Sequence, residues 1–185
     1  MKTRELTRVA MYTAITCCAA VIFRYVPETI VPYSILPLLV LLAGFVLGPK
    51  LGAWSMALYV LIGLLGVQVF ATPPFGGLTY VIKPTFGYMI GYIVAAYAVG
   101  KLLALKQRPG FVWSYFAVIV GIVCIYVFGL AYMYLIINLV VHQAQTVWQI
   151  VKLGFIPFIV LDLIKGFVAV ILGQILNKTI TPIAR

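Results

Sequence analysis

Acidic residues are scarce in this chain. Its 185 residues include three carboxylates, Glu5, Glu28 and Asp162, against thirteen lysines and arginines, and charged residues make up only 9% of it. A soluble domain carries about 25% charged residues, so a water-exposed globule is excluded. Histidine is scarcer still: His142 stands alone and reads as a surface-loop residue, so no histidine-built metal cluster can be assembled and no catalytic set emerges. Cys17, Cys18 and Cys124 lie inside apolar runs without metal-ligand spacing and read as small packing residues. There is no serine on a nucleophile elbow, no phosphate-cradling glycine loop and no Walker-type sequence. The chain therefore cannot power a process with ATP by itself, and no enzymatic activity, cofactor or metal is expected. Nor is there a convincing internal repeat, which leaves an inverted-repeat carrier with weak support.

Apolar residues are abundant: 65% of the chain, with a mean hydropathy of +1.18. This composition reads as an all-α integral membrane protein forming one domain over residues 1–185, with about six transmembrane helices. A span needs about 20 mostly apolar residues, and the runs place spans at about 5–25, 33–47, 51–70, 85–105, 111–135 and 150–177. Lys2, Arg4 and Arg8 before the first run superficially suggest a signal peptide. No small-residue cleavage site follows and Arg24 closes the run, so it reads as a retained helix. Val26 to Pro32 is a turn-rich connection, because proline disfavours helix at the residue before it. Gly48-Pro49-Lys50 and Lys106 to Gly110 are tight turns. Ala71 to Gly77, with two prolines and two glycines, is a loop. Leu78 to Ile82 reads as a short, possible re-entrant piece, and Asn138 to Gln149 as a more polar connection.

The net charge of +10 is no sign of nucleic-acid binding, because the bases are scattered between apolar runs. With six spans, Lys2, Arg4, Arg8, Lys50, Lys101, Lys106, Arg108, Lys178 and Arg185 fall on one side, and Arg24, Lys83 and Lys152 on the other. Bases accumulate on the cytoplasmic side, so both termini are expected there. The longer, irregular loops then face outward, and loops carry recognition more often than short turns do.

One acid lies deep within an apolar run. Asp162 is followed three residues later by Lys165, within Gly154 to Gly166. A charge near a helix centre in a bilayer costs roughly 2.5–3.5 kcal/mol on insertion scales, and positions three apart share a helix face. The pair can therefore neutralise itself and fix helix packing, or grip one ligand together. Intramembrane ionisable residues favour the second reading. Lys83, beside Pro84, either meets an anionic group or snorkels to water. Small residues recur every fourth position, as Ala10 and Ala14, Gly44, Gly48 and Gly52, and Gly87 and Gly91. Such spacing lets backbones approach closely. For the glycines this means packing inside the bundle; Ala10 and Ala14 suit a partner helix equally well.

Three pieces then resemble a known family. Leu47-Gly48-Pro49-Lys50-Leu51-Gly52 comes first. Gly76-Gly77, then Lys83-Pro84-Thr85-Phe86-Gly87-Tyr88, comes next. Pro157-Phe158 with Asp162-Leu163-Ile164-Lys165 comes last. In this order, and over nearly the whole chain, they resemble the BioY family, the biotin-binding S components of energy-coupling factor (ECF) vitamin transporters. Asp-x-x-Lys is the most specific piece. The resemblance implies a multi-pass protein of the bacterial plasma membrane that captures biotin from outside, docks on a transmembrane coupling protein with two cytoplasmic ATPases, and delivers the vitamin inward.

By the same resemblance Asp162 and Lys165 hold the ureido ring, and Val31-Pro32-Tyr33-Ser34 brings Tyr33 and Ser34 near the ligand. Phe75, Gly76, Gly77 and Tyr88 join the expected binding set, and Ala10 and Ala14 match the motif that meets the coupling protein. Val160-Leu161 stands where many relatives have Pro-Gly. Phe75 and Met89 stand where some have Asn and Arg, and Lys83 where many have Gly. Lys83 is accordingly the expected partner of the ligand carboxylate. Three alternatives remain: an S component for another small vitamin, a stand-alone ion-coupled carrier using Asp162 as a proton site, and a structural membrane protein without a ligand.

Overall fold

Residues 2–25, 34–141 and 144–180 are described by a computed structural model, in which every regular element is helical. The order is α1 (Thr3–Arg24), α2 (Leu36–Leu64), a 3-10 turn (Leu78–Ile82), α3 (Phe86–Ala104), α4 (Phe111–Leu135), a π-type turn (Ile136–Val140), α5 (Val147–Gly154) and α6 (Ile156–Ile180). Among the described residues five helices, all but α5, are long and apolar enough to cross a membrane.

Helix α2 is two arms, residues 36–47 and 49–64, folded back on each other. Gly48 sits at φ 78° and ψ −175°, a conformation that favours glycine, and Pro49 starts the second arm, where a missing N–H costs nothing. A methyl group at Gly52 would lie 2.9 Å from the Ala43 carbonyl oxygen, whereas nine residues of straight helix span about 13.5 Å. Neighbouring residues of α1 reach both arms: Tyr12 donates to Leu39 O at 2.7 Å and Thr13 to Ser55 O at 3.0 Å. The turn expected at Gly48-Pro49-Lys50 is therefore present.

Around that turn the bundle is closed. A side-chain carbon at Gly44 would sit 2.6 Å from Ala96 O, and one at Gly100 would fall on the Gly48 and Pro49 backbone. Leu41, Val99, Ala117, Val118, Ala169 and Val170 fill the space behind with no exposed surface. Gly91 lies against the Ile125 backbone and Gly87 against Tyr132 and Phe128, so these glycines serve packing between α3 and α4. Ala10 and Ala14 face outward on α1, exposed beside Met11 and Ile15.

Two expected spans differ from the structure. The one expected over 51–70 ends at Leu64. Gly66 turns the chain at φ 102°, and Val69 and Phe70 fold inward as buried loop residues. The Tyr59 hydroxyl donates to Val69 O at 3.0 Å, and Arg24 donates to Gln68 O and Phe70 O. The one expected over 150–177 is broken at Phe155 into α5 and α6. Pro157 supplies the cause, because it has no N–H and its ring conflicts with the carbonyl four residues back. Part of the connection expected over 138–149 is also helical: α5 starts on a Thr146–Gln149 capping box, each residue satisfying the other's backbone N–H. The connection over Val26 to Pro32, His142 and Arg185 lie outside the described residues.

Candidate ligand-binding site

Opposite the closed end the same helices part around a cavity of about 750 Å³. The end of α1, the start of α2, residues 71–92, the end of α4 and the α5–α6 junction surround it. Phe23, Tyr80, Tyr92, Met133, Ile137 and Phe158 give it an apolar, aromatic lining, as expected for a site that takes a small organic ligand. Large side chains and the break between α5 and α6 keep the cavity open.

Asp162 lies in the second turn of α6 and is 7% exposed. Its Oδ1 pairs with Lys165 Nζ at 3.0 Å, and its Oδ2 accepts from the Tyr126 hydroxyl of α4 at 2.6 Å. Lys165 also donates to Ser34 O at 3.0 Å. Asp162, Lys165, Ser34 and Tyr126 all border the cavity. An ionised carboxylate offers about four lone-pair sites and an ammonium three donors. After these bonds the carboxylate can accept two more N–H groups, and Lys165 keeps one N–H to give. The pair is thus neutralised internally and still has capacity facing open space. Tyr88, another lining residue, donates to Gly154 O at 2.8 Å and packs edge-on to Tyr126 with centroids 6.1 Å apart. It thereby fixes the end of α5 beside the pair.

A second polar group lies where the end of α1 meets the loop after α2. Arg24, Thr72, Tyr80 and Lys83 border the same cavity. Thr72 and Tyr80 share a hydrogen bond of 2.8 Å. The Tyr80 ring touches that of Phe70 at 4.4 Å between centroids, and Lys83 Nζ lies 5.9 Å from the Tyr80 centroid. Arg24 is held through Nη2 by Gln68 O at 2.7 Å and Phe70 O at 2.8 Å, with its guanidinium 4.1 Å above the Phe75 ring.

Of the expected binding residues, the structure brings Asp162, Lys165, Ser34, Tyr88 and Lys83 to one cavity. Phe75, Gly76 and Gly77 do not line it. Phe75 lies under Arg24, Gly76 packs against the Val67 and Gly63 carbonyls, and Gly77 N–H donates to Gly63 O at 2.7 Å. These three fasten the loop to the end of α2. Tyr33 lies outside the described residues. Sequence reasoning missed Tyr126, one of twelve tyrosines; its only signal is a hydroxyl in the otherwise apolar middle of α4. It also missed Arg24, which reads in sequence as a flank of the first span.

A model of the BioY family matches residues 1–182. A protein named probable biotin transporter BioY from Lysinibacillus sphaericus is 33% identical over 176 residues, 95% of this chain and 88% of that protein. Biotin transporter BioY of Thermotoga maritima is 33% identical over 175 residues, 95% of this chain and 96% of that one. A probable biotin transporter BioY of Pyrococcus horikoshii is 35% identical over 174 residues, 94% and 96% of the two chains. The crystal structure of the S-component for biotin from an ECF-type ABC transporter matches with a TM-score of 0.71 at 22% identity, covering 96% of this chain and 95% of that one. That last likeness speaks for the fold.

Proposed function

The chain belongs to the BioY family and is a multi-pass membrane protein, and on that premise we propose that it is the substrate-binding subunit of an ATP-driven ECF-type importer, capturing biotin from outside the cell. One observation carries the reading: Asp162 and Lys165 border an apolar cavity with two acceptor sites and one donor unused. The ureido group of biotin presents two N–H donors and one carbonyl, the complement of that set. An aromatic and methionine lining suits the fused rings and the aliphatic chain. Lys83, on the loop side of the cavity, meets the carboxylate.

Charge supports the orientation. Lys50, Lys101, Lys106 and Arg108 cluster near the closed end, whereas Arg24, Lys83 and Lys152 belong to the cavity end. Bases mark the cytoplasmic side, so the closed end and both termini face the cytoplasm of a plasma-membrane protein and the cavity opens outward. The coupling protein packs on Ala10 and Ala14, where α1 presents small, exposed residues that let a second helix come close. ATP hydrolysis belongs to the two partner ATPases.

Calorimetry of the detergent-purified protein against a panel of vitamins tests the reading. Tight binding of biotin and weak binding of the others is expected. Preference for a different vitamin would keep the S-component role and replace the ligand. Uptake into liposomes driven by a pH gradient, with no ATPase present, would instead favour an ion-coupled carrier with Asp162 as the proton site.

A further inference from the structure

Among the described residues, the charges around the cavity do not balance. Its described lining holds Arg24, Lys83 and Lys165 but a single carboxylate, Asp162, which is already committed to Lys165 and Tyr126. Two cations therefore remain on the loop side, and among the described residues neither faces a carboxylate. They adjoin one aromatic block: Arg24 bonds to the Phe70 carbonyl, the Phe70 ring packs on Tyr80, and Lys83 lies over Tyr80.

Arg24 is the better prepared of the two. Its guanidinium is fixed by two backbone carbonyls and the face of Phe75, so little freedom remains to be lost on binding. Of its five N–H donors, those on Nη2 are used, and Nε is buried with no hydrogen-bond partner. The two N–H groups of Nη1 are therefore the donors left for an incoming anion. An anion beside this fixed guanidinium gains a charge-assisted hydrogen bond from Nη1, at a position that a flexible ammonium does not hold.

We infer that Arg24 is a specificity-determining residue: it binds the acid group of the ligand together with Lys83, and makes the site select an acid over its neutral amide. The inference rests on the biotin reading above. Because Arg24 also ties down the loop at Gln68 and Phe70, acid binding and loop position are coupled through one side chain.

The full-length protein in detergent is titrated calorimetrically with biotin and with biotinamide, as wild type, Arg24→Gln, Arg24→Lys, Lys83→Gln and Asp162→Asn. A hydrogen bond to a charged partner corresponds to about 10- to 100-fold in affinity. Wild type should prefer the acid by about that factor, and Arg24→Gln should lose about that factor for biotin but less than about 3-fold for biotinamide. Arg24→Lys keeps the charge and loses the planar, doubly tethered guanidinium, so biotin should weaken by about 3- to 10-fold with the amide unchanged. Lys83→Gln should shift the ratio in the same direction by less.

Equal losses for acid and amide in both Arg24 variants would reduce Arg24 to a loop fastener and overturn the inference, as would unchanged affinities. If Arg24→Gln does not yield folded protein, the acid-to-amide ratio of Arg24→Lys decides. Biotin binding that is lost in Asp162→Asn while the acid-to-amide ratio ignores Arg24 would leave the biotin reading intact and remove only this assignment. No biotin binding by wild type would remove both.

Discussion

The two ends of this bundle are built from the same helices by opposite means. At the Gly48 end, Gly44, Gly52 and Gly100 bring backbones together until a single added carbon would collide with main-chain atoms. At the other end, tyrosines, the loop after Leu64 and the break at Phe155 hold the backbones apart around about 750 Å³. Helix α3 alone illustrates the contrast, because Tyr88 and Tyr92 line the cavity while Gly100 presses on the turn. Twelve residues of helix, about 18 Å, separate the turns that line the cavity from the turn that presses on Gly48. A membrane protein gains no hydrophobic drive between helices, so close packing through small residues decides where it is closed. Stability should then depend mainly on one end and ligand affinity on the other.

The largest expected effect is on the closed end. Gly100→Leu places a side chain on the Gly48 and Pro49 backbone and should cost about 3 kcal/mol, the upper range for overpacking. Thermal melting in detergent reads this as a large fall in Tm, while the folded fraction still binds biotin within about 2-fold of wild type. Unchanged melting would break the comparison. Next comes Tyr126→Phe at the open end. Removing the 2.6 Å bond to Asp162 should weaken biotin about 10-fold with only a small change in Tm, and an unaltered affinity would detach Tyr126 from the site.

Smaller changes sharpen the contrast. Thr13 is buried, and its hydroxyl bonds to Val9 O and Ser55 O. Thr13→Val should cost about 1 kcal/mol of stability and nothing in affinity, as read by melting and titration on the same sample. The smallest effect on the isolated protein belongs to Ala14→Leu on the exposed face of α1. Melting and affinity should stay within about 0.5 kcal/mol of wild type, while uptake measured with the ATPase partners falls. Uptake at the wild-type level would remove this face from partner docking.

Much of this was legible in the sequence because the physics is local. Glycine followed by proline in an apolar run marks a turn whatever surrounds it, and α2 folds back there. The spans expected over 85–105 and 111–135 match Phe86–Ala104 and Phe111–Leu135. Asp162 and Lys165 stood out because a bilayer penalises an acid wherever it lies in a span. The misses have a common origin. Val67, Val69 and Phe70 look like helix to a hydropathy count, yet they form loop, and Val69 and Phe70 are buried. Apolar composition reports removal from water, into protein or lipid, and not backbone conformation.

The break at Phe155 was visible in Pro157 and in Thr146-x-x-Gln149, but the apolar run across it masked both. Tyr126 and Arg24 carry no local mark. Their roles arise from partners 36 and 46 positions away, and no periodicity encodes those.

The central claim is that Asp162 and Lys165 together clasp an uncharged polar group at the open end. Calorimetric titration of wild type and Asp162→Asn with biotin, with melting curves to establish that both are folded, tests it most directly. Tight binding by wild type, weakened at least about 100-fold in the variant because a buried acceptor is lost and Lys165 is left unpaired, is the predicted result. Equal binding by two folded proteins, or no binding by wild type, would contradict the account.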